Sequence, residues 1–254
     1  MRKWSKAIAF MMTAALAVGS LSVGPVVQKA DAADRIGTYM SWDDDQTTKD
    51  IKIPVNPQTF RDLSGTEIIE EMGIGWILGN TFDSHTNQTP GETAWGAPVT
   101  TKKMIKAVHD LGFNTIRIPV TWGTMVKDDG SIDAAWISRV EDVINYCMDE
   151  DMYVILNAHH DGADNAGTDK EGKSVHGWID ISGTDEEFAA VEAKYQKMWA
   201  SIANYFKNYD EHLIFESMNE VYSGSGDTNL QKDMERINKL NKRSEEHTSE
   251  LQSH

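Results

Sequence analysis

The pair Asn219-Glu220 places an amide and a carboxylate at the end of a short apolar run, 212–218. Such a run is typical of a buried strand that presents polar side chains at one edge of a sheet. A carboxyl group beside an apolar wall can act as a general acid, and an amide can bind a hydroxyl group. Because Phe215 and Met218 precede it, we expect Glu220 to be partly buried. The alternatives are structural: a Glu at a helix start and an Asn in a turn.

Arg117 lies inside a second apolar run, 115–120. A buried guanidinium without a partner is costly, so we expect Arg117 to face a carboxylate and to hold it ionised. Such a carboxylate would suit a nucleophile. The alternative is a purely structural ion pair.

His159 and His160 follow a third apolar run, 152–157. Adjacent residues of an extended chain point to opposite faces, so one of the two imidazoles should reach the edge of the sheet. The sequence offers no third metal ligand at a sensible spacing, which favours a hydrogen-bonding role over a metal site. Neither a metal nor another cofactor is expected.

Three tryptophans lie near the same edge: Trp76, Trp122 and Trp178. An aromatic face suits the apolar face of a sugar ring, although a buried Trp in a core is the usual alternative. We predict the platform role only for Trp178, because it lies in a polar loop.

Strands and helices alternate along residues 67–242. The predicted strands are 74–79, 115–120, 152–157 and 213–216. The predicted helices begin at Thr100, at Asp133 and at Thr184, whose capping box is completed by Glu187, and a last partial helix covers about 230–240. Nearly continuous apolar strands indicate a parallel α/β sheet covered by helices.

Two architectures fit this series, an open doubly wound sheet and a (β/α)8 TIM barrel. No Gly-rich phosphate loop follows the first strand, whereas polar residues follow every strand, including Asn80 and Asp83 after the first. Barrel active sites gather at that end, which favours the barrel. A full barrel takes about 250 residues, so we predict that this chain holds the N-terminal half.

The chain has 254 residues and a formal charge of -16. This balance argues against a nucleic-acid or anionic-membrane partner. The sole cysteine, Cys147, excludes an internal disulfide framework and is expected in the core. Residues 1–32 combine a basic start, an apolar stretch and small residues, which predicts a cleaved secretory signal; a membrane anchor is the alternative. A polar N-terminal arm, 33–66, follows.

Four segments together resemble glycoside hydrolase family 5 cellulases, over roughly residues 60–242. They are MGIGWILGNT (72–81), GFNTIRIPVTW (112–122), VILNAHHD (154–161) and FESMNE (215–220). One departure is Ile77, where relatives usually carry Asn.

The resemblance implies a secreted retaining endo-β-1,4-glucanase with a β-glucan polysaccharide substrate. It assigns the acid/base role to Glu220 and matches three further site residues, Asn219, Arg117 and His159. The implied sugar contacts are His160, Asn80 and Asp83. A β-mannanase, xyloglucanase or lichenase on the same scaffold, or a non-catalytic β-glucan-binding protein, stays an alternative.

A larger departure lies downstream of Glu220. The family's nucleophile is a Glu on the seventh strand, which we expect to be missing together with the rest of the C-terminal half. Residues 243–254 resemble the in-frame translation of a common DNA-sequencing adapter and are predicted to be non-native. We therefore expect an inactive, poorly folded polypeptide in which Arg117 has no partner and apolar faces meant for later strands are exposed.

Overall fold

The computed structural model describes residues 61–162, 167–168, 174–221 and 230–251; the predicted signal, 1–32, and the predicted arm up to residue 60 lie outside them. The strands are β1 (Gly75–Ile77), β2 (His85–Thr86), β3 (Thr89–Pro90), β4 (Thr115–Ile118), β5 (Tyr153–Asn157), β6 (Gly167–Thr168), β7 (Ser174–Val175) and β8 (Leu213–Glu216). The helices are α1 (Gly65–Met72), α2 (Lys102–Asp110), α3 (Ala134–Met148), α4 (Asp185–Tyr205) and α5 (Leu230–Leu251), with a 3-10 turn at Gly123–Met125.

The main sheet contains four strands in the order β1-β4-β5-β8, and all its pairings are parallel. Each strand lies beside the one that precedes it in this series, with α2, α3 and α4 as the crossover helices. A doubly wound sheet reverses its strand order at a switch point, and this sheet has no reversal. The arrangement is that of successive strands in a (β/α)8 TIM barrel, as predicted.

One face of the sheet forms the core with the helices. Ile116 and Ile118 of β4, Val154 and Leu156 of β5, and Leu213 of β8 are buried on this face. They belong to one apolar cluster with side chains of α2, α3 and α4. Alternate residues of a strand point to opposite faces, so the residues between them face away from the helices.

The opposite face is less covered. A row across the four strands consists of Ile77, Arg117, Ile155 and Ile214. Ile77 is 53% exposed, and the other three are half-buried. The prediction that apolar side chains of this half-barrel are exposed is therefore confirmed at β1.

Local capping fixes where the helices begin. Asp133 caps α3, and Thr184 with Glu187 forms the predicted capping box of α4. The cap of α2 is Thr101 rather than Thr100, because the Thr101 hydroxyl accepts the Met104 N–H. The prediction was therefore wrong by one residue.

The last helix is longer than predicted, since α5 ends at Leu251 rather than near residue 240. Its second half lacks Gly and Pro, which would break a helix. Arg243 also pairs with Glu192 of α4 at 2.8 Å and with Glu246 at 3.0 Å. Helical conformation does not test whether residues 243–254 are native, so that stays a prediction.

At the amino end of the sheet, Arg61 bonds Glu71 of α1 at 2.7 Å and the Tyr153 hydroxyl of β5 at 3.0 Å, and it also contacts Glu211. Ser64 caps α1, so the predicted arm boundary at residue 66 falls inside a helix. Among the helices that the structure describes, none is long and apolar enough to cross a membrane.

Candidate active site

Arg117 has a carboxylate partner. Its Nε and Nη2 atoms donate to the two Glu216 carboxylate oxygens at 2.7 and 2.6 Å, and Nη2 also donates to Asn219 Oδ1 at 3.2 Å. This two-pronged geometry is the strongest that a guanidinium makes with a carboxylate. The expectation that Arg117 faces a carboxylate is confirmed, whereas the expectation that it has no partner in this chain was wrong. The partner comes from the fourth strand of the sheet rather than from a later one.

The pleat of the sheet explains this convergence. Asn157 and Glu216 are register partners on β5 and β8. Arg117 pairs with Ile155, two residues before Asn157, and therefore stands on the same face. Burial alone would raise the pKa of Glu216, but the hydrogen bonds from Arg117 and Asn157 outweigh it and hold this pKa below its usual value. Glu216 is an ionised structural anchor for Arg117.

His159 lies one pleat beyond Asn157. Its Nδ1 atom is 3.2 Å from Asn157 Nδ2. Burial, and then the neighbouring charges of His160 and Arg117, lower the pKa of His159 to about 4. The imidazole is therefore neutral near pH 7, where it can donate one hydrogen bond and accept another.

Asp83 lies close to both histidines, so the expectation that only one of the two imidazoles reaches this edge of the sheet was wrong. Asp83 is buried and accepts the Thr81 N–H at 2.8 Å, and its other oxygen lies 3.9 Å from His160 Nε2. In the described residues, the candidate metal-binding group is Asp83, His159 and His160, whose ligand atoms lie within 4.8 Å of one another. The positive charge of Arg117 acts on His159 and disfavours a cation there. The arrangement suits hydroxyl groups better than a metal ion.

Asp161 fixes the loop that follows β5. It is fully buried and accepts hydrogen bonds from Trp122 N at 3.0 Å, Gly123 N at 2.6 Å and Trp178 Nε1 at 2.8 Å. Burial raises the pKa of Asp161 despite these bonds. Gly123 has a φ of 40°, and a Cβ atom there would lie 2.0 Å from the Gln88 carbonyl oxygen. Only glycine therefore fits at position 123, where the backbone passes close to the Gln88 carbonyl.

Trp178 is the predicted sugar platform. Among the described residues, its contacts do not include the other predicted sugar-binding residues. Its indole N–H binds Asp161, and Lys194 Nζ lies over its ring at 4.8 Å. It is half-buried and packs against the core. These contacts favour an anchoring role, and the platform role stays a prediction. Trp122 is fully buried, as its core alternative required.

Trp95 is a better placed aromatic that the sequence reasoning did not identify. The residue is 46% exposed, and its ring centroid lies 5.3 Å from that of His85 and 5.4 Å from that of His160. The indole N–H donates to the His85 carbonyl at 2.8 Å, so the ring has a fixed orientation. It extends the polar cluster with an exposed apolar face.

Glu220 is exposed, contrary to the expectation of partial burial. Its φ is 45°, a left-handed value that is uncommon for residues other than glycine. Its charge still acts on Arg117. Asn80 is also exposed, in a turn with a φ of 58°, and no contact between it and the other predicted residues is seen in the described part of the chain.

Known proteins resemble this chain in sequence. The family model described as Cellulase (glycosyl hydrolase family 5) matches residues 79–246. Endoglucanase A of Clostridium longisporum is 38% identical over 201 residues, which cover 74% of this chain and 35% of that protein.

Solved structures agree with that match. A GH5-4 broad specificity endoglucanase from Ruminococcus champanellensis with bound cellotriose is 37% identical, with a TM-score of 0.63 over 75% of this chain and 54% of the other. A family 5 xyloglucanase from Paenibacillus pabuli in complex with ligand is 39% identical, with a TM-score of 0.59 over 70% of this chain and 47% of the other. The chain spans about half of each structure and about a third of the Clostridium longisporum protein.

Proposed function

Because the chain belongs to glycosyl hydrolase family 5, we propose that it is the acid/base-bearing half of a secreted, retaining endo-β-1,4-glucanase. The observation that carries the proposal is the convergence of Arg117, Asn219 and His159 at the carboxyl ends of parallel strands, where barrel active sites lie. Secretion is supported by the signal-like residues 1–32.

In this proposal Glu220 protonates the glycosidic oxygen as the bond to the leaving sugar breaks. It then takes a proton from the water that releases the second product. Its exposed position at the strand end leaves it accessible to a polysaccharide. The Asn219 side chain, held by Arg117 through its oxygen, directs its N–H groups toward a sugar hydroxyl.

Retaining hydrolysis needs a second carboxyl about 5–5.5 Å from the first. Both carboxylate oxygens of Glu216 accept hydrogen bonds from the Arg117 guanidinium, which suits a structural anchor better than a nucleophile. We therefore assign the nucleophile to a later strand of the complete barrel. The 254-residue chain by itself is then a β-glucan-contacting half-site without turnover.

The test compares the 254-residue chain with a completed barrel. The completed barrel joins residues 33–242 to the C-terminal half of the catalytic domain of the Clostridium longisporum relative. We expect release of reducing sugar from carboxymethylcellulose by the completed barrel and none by the chain alone above a Glu220→Gln control. Turnover by the chain alone would show that it carries its own nucleophile.

A xyloglucanase is the second candidate, because the family 5 xyloglucanase from Paenibacillus pabuli is 39% identical to this chain, against 38% for Endoglucanase A of Clostridium longisporum. The completed barrel would be assayed in parallel on carboxymethylcellulose, xyloglucan, mannan and mixed-linkage β-glucan. A preference for xyloglucan would replace the cellulase assignment. Glucan binding without hydrolysis by the completed barrel would instead favour a binding protein.

A further inference from the structure

Asn157 is a buried polar side chain at the carboxyl end of the sheet, and it has three partners. It is 0% exposed at the end of β5. Its Oδ1 accepts the Val120 N–H at 3.1 Å, and its Nδ2 lies 3.2 Å from Glu216 Oε1 and 3.2 Å from His159 Nδ1. One amide therefore joins three neighbouring strands of the sheet.

These partners determine which way the amide points. Val120 N–H can only donate, so it faces the Asn157 oxygen. Glu216, held ionised by Arg117, can only accept, so it faces the Asn157 NH2 group. A flipped amide would place donor against donor and acceptor against acceptor at 0% exposure, where unsatisfied groups are costly.

The same NH2 group faces His159 Nδ1 with its second hydrogen. His159 Nδ1 must then be the acceptor, and in the neutral ring the proton is carried by Nε2. We propose that Asn157 is a positioning residue that locks neutral His159 in the Nε2–H tautomer, so that His159 donates a hydrogen bond to a hydroxyl of the bound sugar. The identity of that acceptor rests on the proposed function, whereas the tautomer does not.

The Nε2–H tautomer of His159 has a chemical consequence for the cluster of Asp83, His159 and His160. An Nε2 atom that carries a proton cannot bind a metal ion, and moving the proton to Nδ1 would set it against the Asn157 NH2 group. His159 is thus committed to donating, as a site for a ligand rich in oxygen acceptors requires.

The deciding measurement is a long-range 1H–15N correlation spectrum of the histidine side chains in the full 254-residue chain, with a His159→Gln variant for assignment. We expect the His159 ring of the unchanged protein to show the Nε2–H pattern at pH 7. The Nδ1–H pattern, or an averaged mixture of both tautomers, would overturn the proposal.

A substitution tests whether Asn157 determines the tautomer of His159. In Asn157→Asp both side-chain oxygens accept, so we expect the His159 proton to move to Nδ1 and the pKa of His159 to rise by at least one unit. The matched control is Asn145→Asp on α3, an amide that is 3% exposed and binds the Tyr209 hydroxyl; it should leave the His159 pattern unchanged. An unchanged pattern in a folded Asn157→Asp variant would also overturn the proposal.

Cellotriose titration of the same samples separates the two proposals. Binding that shifts His159 Nε2–H, and that weakens at least fivefold in Asn157→Asp, supports both. If the Nε2–H tautomer is present but His159 does not respond to millimolar cellotriose, the hydrogen bond to sugar is refuted and the tautomer assignment stands; hydrolysis by the completed barrel decides the proposed function separately.

Discussion

At the amino end of the sheet, Arg61 bonds Glu71 and Tyr153, and Tyr153 in turn donates to Glu71 at 2.6 Å. At the carboxyl end, Arg117 is paired just as closely with Glu216 and Asn219, but beyond it lie an exposed carboxylate, an exposed aromatic ring and a neutral histidine. The amino end closes its polar groups on one another, whereas the carboxyl end supports groups that face outward.

The comparison shows that an ion pair alone does not mark a site. A cleft of about 760 Å³ lies at the amino end, lined in part by Glu71, Tyr153 and His212. The presence of a large cleft therefore does not identify a functional site either. What distinguishes the carboxyl end is that its bonded residues orient neighbours that are left accessible. In barrels of this type the amino end contributes mainly to stability.

The largest expected effect is on kcat, and it should appear only for a substitution at the carboxyl end of the sheet. In the completed barrel, Glu220→Gln should lower kcat on carboxymethylcellulose by about 10²–10⁴, because it removes the proposed proton donor. The matched substitution at the amino end, Glu71→Gln, should leave kcat within about twofold. Equal losses in the two variants would mean that Glu220 acts only through the fold.

The next effect concerns stability. Arg117→Ala leaves the Glu216 carboxylate half-buried without its counter-charge, and we expect a loss of about 2 kcal/mol in the free energy of unfolding, discounted for partial exposure of both side chains. Urea denaturation of the full chain measures it. The double variant Arg117→Met/Glu216→Gln should recover part of this loss. A loss as large in Arg61→Ala, at the more exposed amino-end pair, would contradict the ranking.

A smaller effect is expected on ligand binding. Trp95→Ala removes an exposed ring beside His160 and should weaken cellotriose binding by about fivefold, near 1 kcal/mol. Trp178→Ala serves as the comparison. The Trp178 indole is bound to Asp161, so its removal should lower stability more than affinity for cellotriose. Isothermal titration and thermal unfolding of both variants decide which tryptophan is the platform.

The smallest effect is a difference in pH dependence. The pKa of His159 lies near 4 in the folded chain, so below pH 6.5 the unfolded chain binds the extra proton and stability falls as pH falls toward 4. The hydrogen bond to Asp210 raises the pKa of His212, so its stabilisation is present at low pH and is lost as pH rises above 6.5. His159→Gln and His212→Gln should each flatten one of these slopes in unfolding measured from pH 4 to 8, and slopes that both stay unchanged would exclude these assignments.

Much of the fold could be predicted because its signals are local. The capping box of Thr184 and Glu187 and the cap at Asp133 need only neighbouring residues. Where two candidate caps were adjacent, as at Thr100 and Thr101, the sequence could not decide, because either hydroxyl suits the role.

The site was predicted less completely because its contacts join distant residues. The need of Arg117 for a carboxylate followed from its strand, but Glu216 lies 99 positions away, and only the strand register identifies it. Asn157 is a polar residue at a strand end, which was a usable signal. Trp95 lies in a loop without periodicity, so its place beside His160 appears only in three dimensions.

The left-handed backbone at Glu220 has a consequence for engineering. A φ of 45° is unfavourable for glutamate by roughly 1 kcal/mol, whereas asparagine adopts such a conformation readily. A selection for stability alone would therefore favour asparagine at position 220, and it would remove the carboxyl group that the proposed function needs. Under the proposed function, the conformational cost at Glu220 is an example of stability given up for activity.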